Sequence, residues 1–309
     1  MATPTSAGIV ILDGGSATEL ERLGEKSIHE DPLWSARLLH SNPELIKQAH
    51  MNFIEAGCDI VVTASYQASV AGFCEELKIT EDEALRLMAD GTKIARDAWR
   101  EVSESTRAGR KCWVAGSVGP YGACLHDGSE YSGTYIDTVS KQDLIDWHRP
   151  RVQALLGSKV DILAIETIPA VEEAEAVLDL LQDFPEAKAW VTFACKDGCH
   201  TCYGGKFSDA IERVARRQGM KAVGVNCTAP EHISPLLRSI QHLNLQIPII
   251  VKPNSGEDWD TGKGFSNREN CVSVVSLVRE WRDLGATWIG GCCRIFPSEI
   301  ADIKQELNT

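Results

Sequence analysis

The 309-residue chain lacks several features that mark common protein classes. It has no apolar run long enough to cross a membrane, and residues 1–7 lack the basic and apolar segments of a secretion signal. Basic residues are in deficit, and the formal net charge of −13 argues against a general surface for nucleic acid or anionic membranes. We therefore expect partners that are small molecules, with no nucleic acid and no membrane among them.

The chain also lacks linkers, low-complexity segments and charge blocks that would divide it, so one domain over residues 1–309 is predicted. No extension or exposed apolar helix is evident, which favours a monomer. Cysteine, in contrast, is abundant, and the eleven cysteines are an odd number scattered through helix-like and strand-like segments. Without a secretion signal, this pattern predicts reduced thiols in a cytoplasmic protein rather than a disulfide framework.

Short apolar runs rich in β-formers alternate with longer helix-like segments. Eight such runs are predicted strands, at residues 9–12, 60–62, 113–115, 162–165, 190–193, 222–227, 249–251 and 288–289. Eight β–α alternations in about 250 residues or more fit a closed parallel (β/α)8 TIM barrel. A doubly wound open sheet is the alternative, but no Gly-x-Gly-x-x-Gly turn follows the first strand.

Polar residues follow the predicted strands where a barrel of this kind carries its active site, at the C-terminal strand ends. These residues are Asp13, Thr63, Ser117, Glu166, Asn226 and Asn254. Most strand bodies are continuously apolar, as expected for strands buried on both faces. The sequence therefore predicts that these six side chains line one site.

Three cysteines also end predicted strands: Cys227 ends one, and Cys292 with Cys293 ends another after Gly290 and Gly291. Three thiolates on zinc leave one coordination position open, as in catalytic sites, and a sulfur-rich site suits a thiol substrate. Neighbouring side chains of a regular strand point to opposite faces, so we expect the glycines to bend the backbone and bring both thiols to one ion. Buried thiols, or a strained disulfide between the two neighbours, are the alternative.

From Asp13 to Ile303 the chain resembles the homocysteine S-methyltransferase family. The matching segments are DGGSATEL at 13–20, TASYQA at 63–68, AGSVGPYG at 115–122, GSEY at 128–131, ET at 166–167, GVNC at 224–227, PNSGE at 253–257 and GGCC at 290–293. The resemblance implies methyl transfer to the sulfur of homocysteine, forming methionine. It is greatest to compact members that use S-methylmethionine or S-adenosylmethionine as the sulfonium donor.

The resemblance implies that Cys227, Cys292 and Cys293 hold Zn²⁺, with the homocysteine sulfur as the fourth ligand. A coordinated thiol loses its proton, so no separate general base is required. Attack of a thiolate on a sulfonium methyl group turns two charges into two neutral thioethers. A dry pocket therefore favours the reaction.

The resemblance also assigns residues that bind homocysteine. Asp13 and Glu166 would take its amino group, Gly14 and Thr63 would contact its carboxylate or backbone, and Asn226 would orient the neighbouring cysteine or the substrate. Asp13 alone could instead belong to an ordinary Asp-Gly-Gly turn. Paired carboxylates also occur in glycoside hydrolases, but the three cysteines would then be unexplained.

The loop at residues 121–135 is predicted to cover the donor site. Within it, Tyr121, Tyr131 or Tyr135 would face the sulfonium through cation–π attraction, unless these tyrosines only pack the loop. Ser117 and Asn254 are further donor-site candidates, with loop capping as their alternative role.

Two features depart from the family pattern. Lys252 stands directly before the PNSGE segment, where an aromatic residue is expected, and this bears on the choice of donor. Cys199 and Cys202 form a C-x-x-C motif, but no second cysteine pair lies at suitable spacing, so a second metal or redox site is the weaker interpretation.

Other functions remain as alternatives. One is a betaine-dependent or selenocysteine methyltransferase on the same scaffold. Another is a metal-dependent hydrolase, although such sites usually recruit histidine and the strand ends here have none. The third is a non-catalytic zinc or thiol redox sensor, which predicts reversible disulfides and no turnover with any thiol.

Overall fold

The structure is a computed structural model that describes residues 8–260 and 264–308. Eight parallel strands form its central sheet, and a two-stranded antiparallel hairpin lies between the seventh and the last of them in the chain. The parallel strands are β1 (Val10–Ile11), β2 (Ile60–Val62), β3 (Trp113–Val118), β4 (Ile162–Ile168), β5 (Ala189–Phe193), β6 (Met220–Asn226), β7 (Ile249–Lys252) and β10 (Ala286–Ile289), and the hairpin strands are β8 (Asp258–Asp260) and β9 (Gly264–Ser266).

The strand order is that of a barrel. Neighbours follow the order β1-β10-β7-β6-β5-β4-β3-β2, and every pairing between them is parallel. A parallel bridge between Leu12 and Ile60 joins the two ends of this order, so the ring is nearly closed. The predicted (β/α)8 barrel is confirmed, and all eight predicted strands are present.

Twelve α-helices connect and surround the strands in the part of the chain that the structure describes. They are α1 (Ser16–Arg22), α2 (Leu38–Ser41), α3 (Pro43–Ala56), α4 (Val70–Leu77), α5 (Glu81–Glu101), α6 (Glu104–Arg107), α7 (Lys141–Gly157), α8 (Val171–Leu180), α9 (Phe207–Ala215), α10 (Pro230–Ile240), α11 (Val274–Asp283) and α12 (Pro297–Asn308). Two of these helices begin at side-chain caps, because Asn42 caps α3 and a capping box between Thr80 and Glu83 begins α5.

Apolar residues pack on both faces of the strands. The inner face contributes a cluster that includes Trp190 and Trp288, whose rings meet edge to face with centroids 5.9 Å apart. The outer face packs against the surrounding helices. Side chains fill the barrel interior, and a barrel of this kind binds its substrate at the C-terminal strand ends. Within residues 8–260 and 264–308, no helix has the length and apolarity needed to cross a membrane.

Candidate metal and substrate site

The structure brings the three strand-end cysteines together. The sulfur atoms of Cys227, Cys292 and Cys293 all lie within 4.8 Å of one another, and no other group of three metal-ligating side chains of this kind occurs among the described residues. The strand between them, β7, fixes both backbones. The amide of Cys227 donates to the carbonyl of Lys252 at 3.1 Å, and the amide of Cys292 donates to the carbonyl of Pro253 at 2.7 Å.

The glycines before Cys292 do not act as predicted. Neither Gly290 nor Gly291 has a positive φ, so neither uses the left-handed backbone angles through which a glycine could bend the chain. They are required for close packing instead. A Cβ on Gly290 would lie 2.6 Å from the carbonyl oxygen of Asp13, and one on Gly291 would lie 2.2 Å from Ile295 Cγ2. The strained angle belongs to Cys227 itself, with a φ of 47°.

The thiols hold one another in a state that suits a metal. Hydrogen bonds from Cys227 and Cys293 lower the pKa of Cys292 well below its usual range, and the nearby Lys252 ammonium lowers it further. The hydroxyl of Thr167 donates to the sulfur of Cys227 at 3.6 Å. Since metals bind the thiolate form, three clustered sulfurs of which one is readily ionised fit a soft divalent ion.

Asp13 is buried at the end of β1, and both of its carboxylate oxygens accept hydrogen bonds. Its Oδ2 accepts from the amide of Val62 at 2.7 Å, and its Oδ1 accepts from Lys252 Nζ at 2.8 Å. The side chains of Lys252 and Asp13 are only 5% and 2% exposed. Burial alone would lower the pKa of Lys252, but the Asp13 and Glu166 carboxylates raise it above its ordinary value, so the lysine is charged.

Lys252 was not among the predicted site residues. A signal for it exists in the sequence, because a single charge ends the otherwise apolar strand β7. A lysine buried at the end of an inner strand requires a carboxylate partner. The sequence does not indicate which carboxylate that is.

Glu166 lies on β4 and faces the same space. Its Oε1 accepts from Ser117 Oγ at 2.5 Å. Burial raises the pKa of Glu166 to about 7, while Lys252 and the Ser117 hydrogen bond oppose that rise. The structure therefore brings two buried carboxylates and one ammonium together beside Cys292, with Ser117 as a partner of Glu166.

Asn226 acts on Cys227 through an intermediate residue. Its Oδ1 accepts from the amide of Thr167 at 2.8 Å, and its Nδ2 donates to Thr167 Oγ1 at 2.7 Å. Thr167 in turn reaches the sulfur of Cys227. Thr167 was not predicted as a site residue, although it directly follows Glu166 in the matching segment at 166–167.

Thr63 and Gly14 support the site from the first two strands. Thr63 Oγ1 accepts from the amide of Ser117 at 3.0 Å and shares a 2.8 Å hydrogen bond with Ser65. Gly14 packs tightly on the turn after β10, where an added Cβ would lie 2.2 Å from the carbonyl oxygen of Ile295. Both residues therefore hold neighbouring strand ends together, Thr63 by hydrogen bonds and Gly14 by close packing.

The donor-site candidates have different surroundings. Tyr131 is 45% exposed, yet crowding around its hydroxyl raises its pKa, and the thiols of Cys227 and Cys293 contribute to that rise. Asn254 Oδ1 is buried with no hydrogen-bond partner among the described residues. The charges of these thiols thus act on the Tyr131 hydroxyl, and Asn254 has an acceptor atom still to be satisfied.

Tyr121 is part of an aromatic cluster between its loop and helix α7. Its ring centroid lies 5.5 Å from that of Tyr135 and 5.1 Å from that of Trp147. Its backbone amide donates to Glu173 at 2.6 Å. These contacts are those of a residue that packs the loop.

The C-x-x-C motif shows no sign of a second metal centre. Between its cysteines, His200 Nδ1 pairs with Asp197 at 3.0 Å. Burial raises the pKa of Cys202 to about 12, so this thiol stays protonated. Neither Cys199 nor Cys202 belongs to a group of three possible metal ligands among the residues described.

A profile of the homocysteine S-methyltransferase family matches residues 10–307. The chain belongs to this family. A homocysteine S-methyltransferase of Bacillus subtilis, YbgG, is 42% identical over 96% of this chain and 93% of its own length. A betaine-homocysteine S-methyltransferase of Drosophila melanogaster is 38% identical over 97% and 94%. The crystal structure of the Escherichia coli homocysteine methyltransferase MmuM, in its metallated form, is 39% identical, covers 96% of both chains and has a TM-score of 0.83.

Membership of the homocysteine S-methyltransferase family confirms the resemblance carried by the strand-end motifs. It also agrees with the geometry, because one of the solved homocysteine methyltransferases holds a metal and this chain gathers three cysteine sulfurs. An enzyme that transfers methyl groups is therefore the functional class of this protein.

Proposed function

We propose that this protein transfers a methyl group from a sulfonium donor, S-methylmethionine or S-adenosylmethionine, to the sulfur of L-homocysteine. The observation that carries the proposal is the cluster of three cysteine sulfurs within 4.8 Å, placed beside buried carboxylates at the strand ends. Family membership supports it independently. The donor is the part of the proposal that the family leaves open.

Zinc is the metal that these residues fit best. Three thiolates are a frequent zinc donor set, and an open fourth position is typical of catalytic zinc sites. When bound by Cys227, Cys292 and Cys293, zinc would stabilise the deprotonated form of the acceptor thiol. Thr167 would hold Cys227 in place through its hydroxyl, and Asn226 would hold Thr167.

The remaining residues bind the acceptor and exclude water. Glu166 would take the ammonium of homocysteine, with Gly14 and Thr63 supporting its backbone. In the transfer, the bond from the methyl carbon to the donor sulfonium breaks and a bond to the acceptor sulfur forms. Both reacting charges disappear in this step, so a site whose charged residues are buried and dry favours it. Correct positioning of donor and acceptor supplies much of the rest.

Tyr131 and Asn254 are the residues that we assign to the donor side. The thiols of Cys227 and Cys293 act on the pKa of Tyr131, and a phenol ring attracts a sulfonium cation. Asn254 has a buried acceptor atom that a donor could use. Ser117 contributes indirectly by holding Glu166, and Tyr121 by packing the loop.

We also infer that residues 1–309 form one domain and that the protein is a cytoplasmic monomer. All eleven cysteines are unpaired, which supports a reducing compartment. Only three large apolar side chains are exposed among the described residues, Leu125, Tyr131 and Val272, which supports a monomer.

One assay tests the function. Methionine formation from homocysteine is measured with S-methylmethionine, S-adenosylmethionine and betaine offered separately, and zinc is quantified in the same sample. We expect turnover with a sulfonium donor and one zinc per chain. Turnover with betaine alone would favour the activity for which the Drosophila relative is named. Absence of turnover with every thiol acceptor and with the corresponding selenols would favour a redox sensor.

A further inference from the structure

Lys252 lies at the end of β7, close to the cysteine cluster. This strand pairs with β6 on one side and β10 on the other, and these are the strands that carry the three cysteines. The register places Lys252 beside Asn226. Its carbonyl accepts from the amide of Cys227, and its ammonium lies close enough to Cys292 to stabilise that thiolate.

The ammonium of Lys252 changes the charge of the acceptor site. Asp13 Oδ1 accepts from Lys252 Nζ at 2.8 Å, and Asp13 Oδ2 is occupied by the amide of Val62. The negative charge of Asp13 is therefore already matched by a cation of the protein itself. Glu166 has Ser117 as a neutral partner, so its charge remains available to a substrate cation.

An amino-acid acceptor brings two charges to this place. A site with two carboxylates and no cation would attract its ammonium and repel its carboxylate. A lysine ammonium has three N–H donors, and the hydrogen bonds of the described residues use one of them, on Asp13. The other donors can bind a carboxylate that lies beside Glu166.

We propose that Lys252 binds the α-carboxylate of the acceptor amino acid, while Glu166 binds its ammonium and Asp13 holds Lys252 in position. This inference rests on the proposed function, because it concerns the acceptor of that reaction. It states that this chain selects thiols that carry both charges of an amino acid. The alternative is that Lys252 serves only as a structural counter-ion for Asp13.

Two shortened acceptors separate these roles. The thiol 3-aminopropane-1-thiol is homocysteine without its carboxylate, and 4-sulfanylbutanoate is homocysteine without its ammonium. With the metal-loaded wild-type enzyme, we expect kcat/KM to fall by about 10- to 100-fold when the carboxylate is removed, the usual effect of losing one hydrogen bond to a charged group. Titration calorimetry without a methyl donor should show the same ratio in Kd.

The substitution Lys252→Met should lower kcat/KM for homocysteine by about the same factor but leave 3-aminopropane-1-thiol almost unaffected. Lys252→Arg should retain the preference for a carboxylate. Glu166→Gln should reduce the discrimination against 4-sulfanylbutanoate instead. The matched control is Lys304→Met, since Lys304 donates to the carbonyl of Gly57, on a loop that precedes β2. We expect no change of preference in that control.

Each outcome has one meaning. If Lys252→Met lowers kcat/KM for homocysteine and 3-aminopropane-1-thiol equally, Lys252 has a structural role and the inference is wrong. If the wild-type enzyme had the same kcat/KM for homocysteine and 3-aminopropane-1-thiol, the inference would be wrong, and no variant would be needed to show it. If no thiol is methylated or bound, the proposed function itself fails, a result distinct from turnover without selectivity.

Discussion

Ser117 and Glu166 share a buried hydrogen bond of 2.5 Å across the neighbouring strands β3 and β4. It stabilises the ionised carboxylate, as does the charge of Lys252. Burial acts in the opposite direction and is the largest influence, so the pKa of Glu166 is raised to about 7. A carboxylate with this pKa changes charge within the range in which an enzyme is ordinarily assayed.

The first prediction concerns the pH dependence of acceptor binding. Below pH 7 Glu166 gains a proton and loses its attraction for the ammonium of homocysteine. KM for homocysteine should therefore rise as the pH falls from 8 to 6, with a limiting slope of about tenfold per pH unit. Initial rates at saturating donor would measure this dependence.

Two variants control this measurement. Glu166→Gln removes the titrating group, so its KM should be higher and should lose this part of the pH dependence. Ser117→Ala removes a hydrogen bond that lowers the pKa of Glu166, so the rise in KM should begin at a higher pH. A KM profile that is the same in wild type and Glu166→Gln would show that this carboxylate does not bind the acceptor.

The second prediction concerns the three cysteines. Replacing Cys227, Cys292 or Cys293 singly with alanine should lower bound zinc well below one per chain and reduce kcat/KM by at least about a hundredfold. Elemental analysis and methionine formation on the same sample would test this. Cys74→Ala is the matched control, because this half-buried thiol on α4 lies outside the cluster. A cluster variant that kept both zinc and full activity would refute the assignment.

The third prediction concerns the packing of Gly14 against the turn that follows Cys293. The Cβ of Gly14→Ala would lie 2.2 Å from the carbonyl oxygen of Ile295, so this turn must move. We expect a loss of about 1–3 kcal/mol in the free energy of unfolding, together with weaker metal binding, because Cys292 and Cys293 lie just before Ile295. Urea unfolding and elemental analysis would measure the two effects.

Gly157→Ala is the control for this substitution. A Cβ there meets nothing within 4 Å, and the residue is the exposed last residue of α7. Its stability should stay the same or rise slightly. If Gly14→Ala were equally harmless, the close approach to Ile295 would not constrain the metal cluster.

The sequence predicted the strands and their polar ends well, and the reason is physical. Strands buried on both faces are continuously apolar, so a polar residue such as Glu166 marks where the apolar run ends and the site begins. The same reasoning located Cys227 and Asp13 at strand ends. This reasoning needs only the pattern of apolar and polar residues along each strand and the rule that active sites lie at one end of the barrel.

Pairings between distant residues could not be predicted in this way. Lys252 and Asp13 are separated by 239 positions, and nothing local to either residue indicates the other. The hairpin β8–β9 was also missed, because residues 258–266 are mostly polar and glycine-containing and lack the apolar run of a buried strand. Gly290 was assigned a bend because the sequence does not show that the backbone of Asp13 packs against it.

The last prediction concerns stability and tests the packing of α3. His50 is 1% exposed, and its Nε2 has no hydrogen-bond partner among the described residues. Burial lowers the pKa of His50 to about 4 from its ordinary value of 6.5. Between pH 6.5 and 4, His50 is therefore protonated in the unfolded chain and still neutral in the folded chain. The stabilisation is complete above pH 6.5 and is lost as the pH falls, by at most about 1.4 kcal/mol per pH unit.

Urea unfolding at pH 7.5, 6.5 and 5.5 would measure this loss, with His50→Leu as the variant in which the titrating group is absent. Other groups, metal ligands included, contribute equally to both proteins, so the difference between their slopes isolates His50. His242→Gln, at an exposed position, should keep the wild-type slope. Only a histidine that stays neutral in the folded protein makes stability depend on pH in this way. If the slopes of stability against pH were the same for wild type and His50→Leu, His50 would be protonated in the folded protein at no cost. The packing of α3 around His50 would then be looser than described.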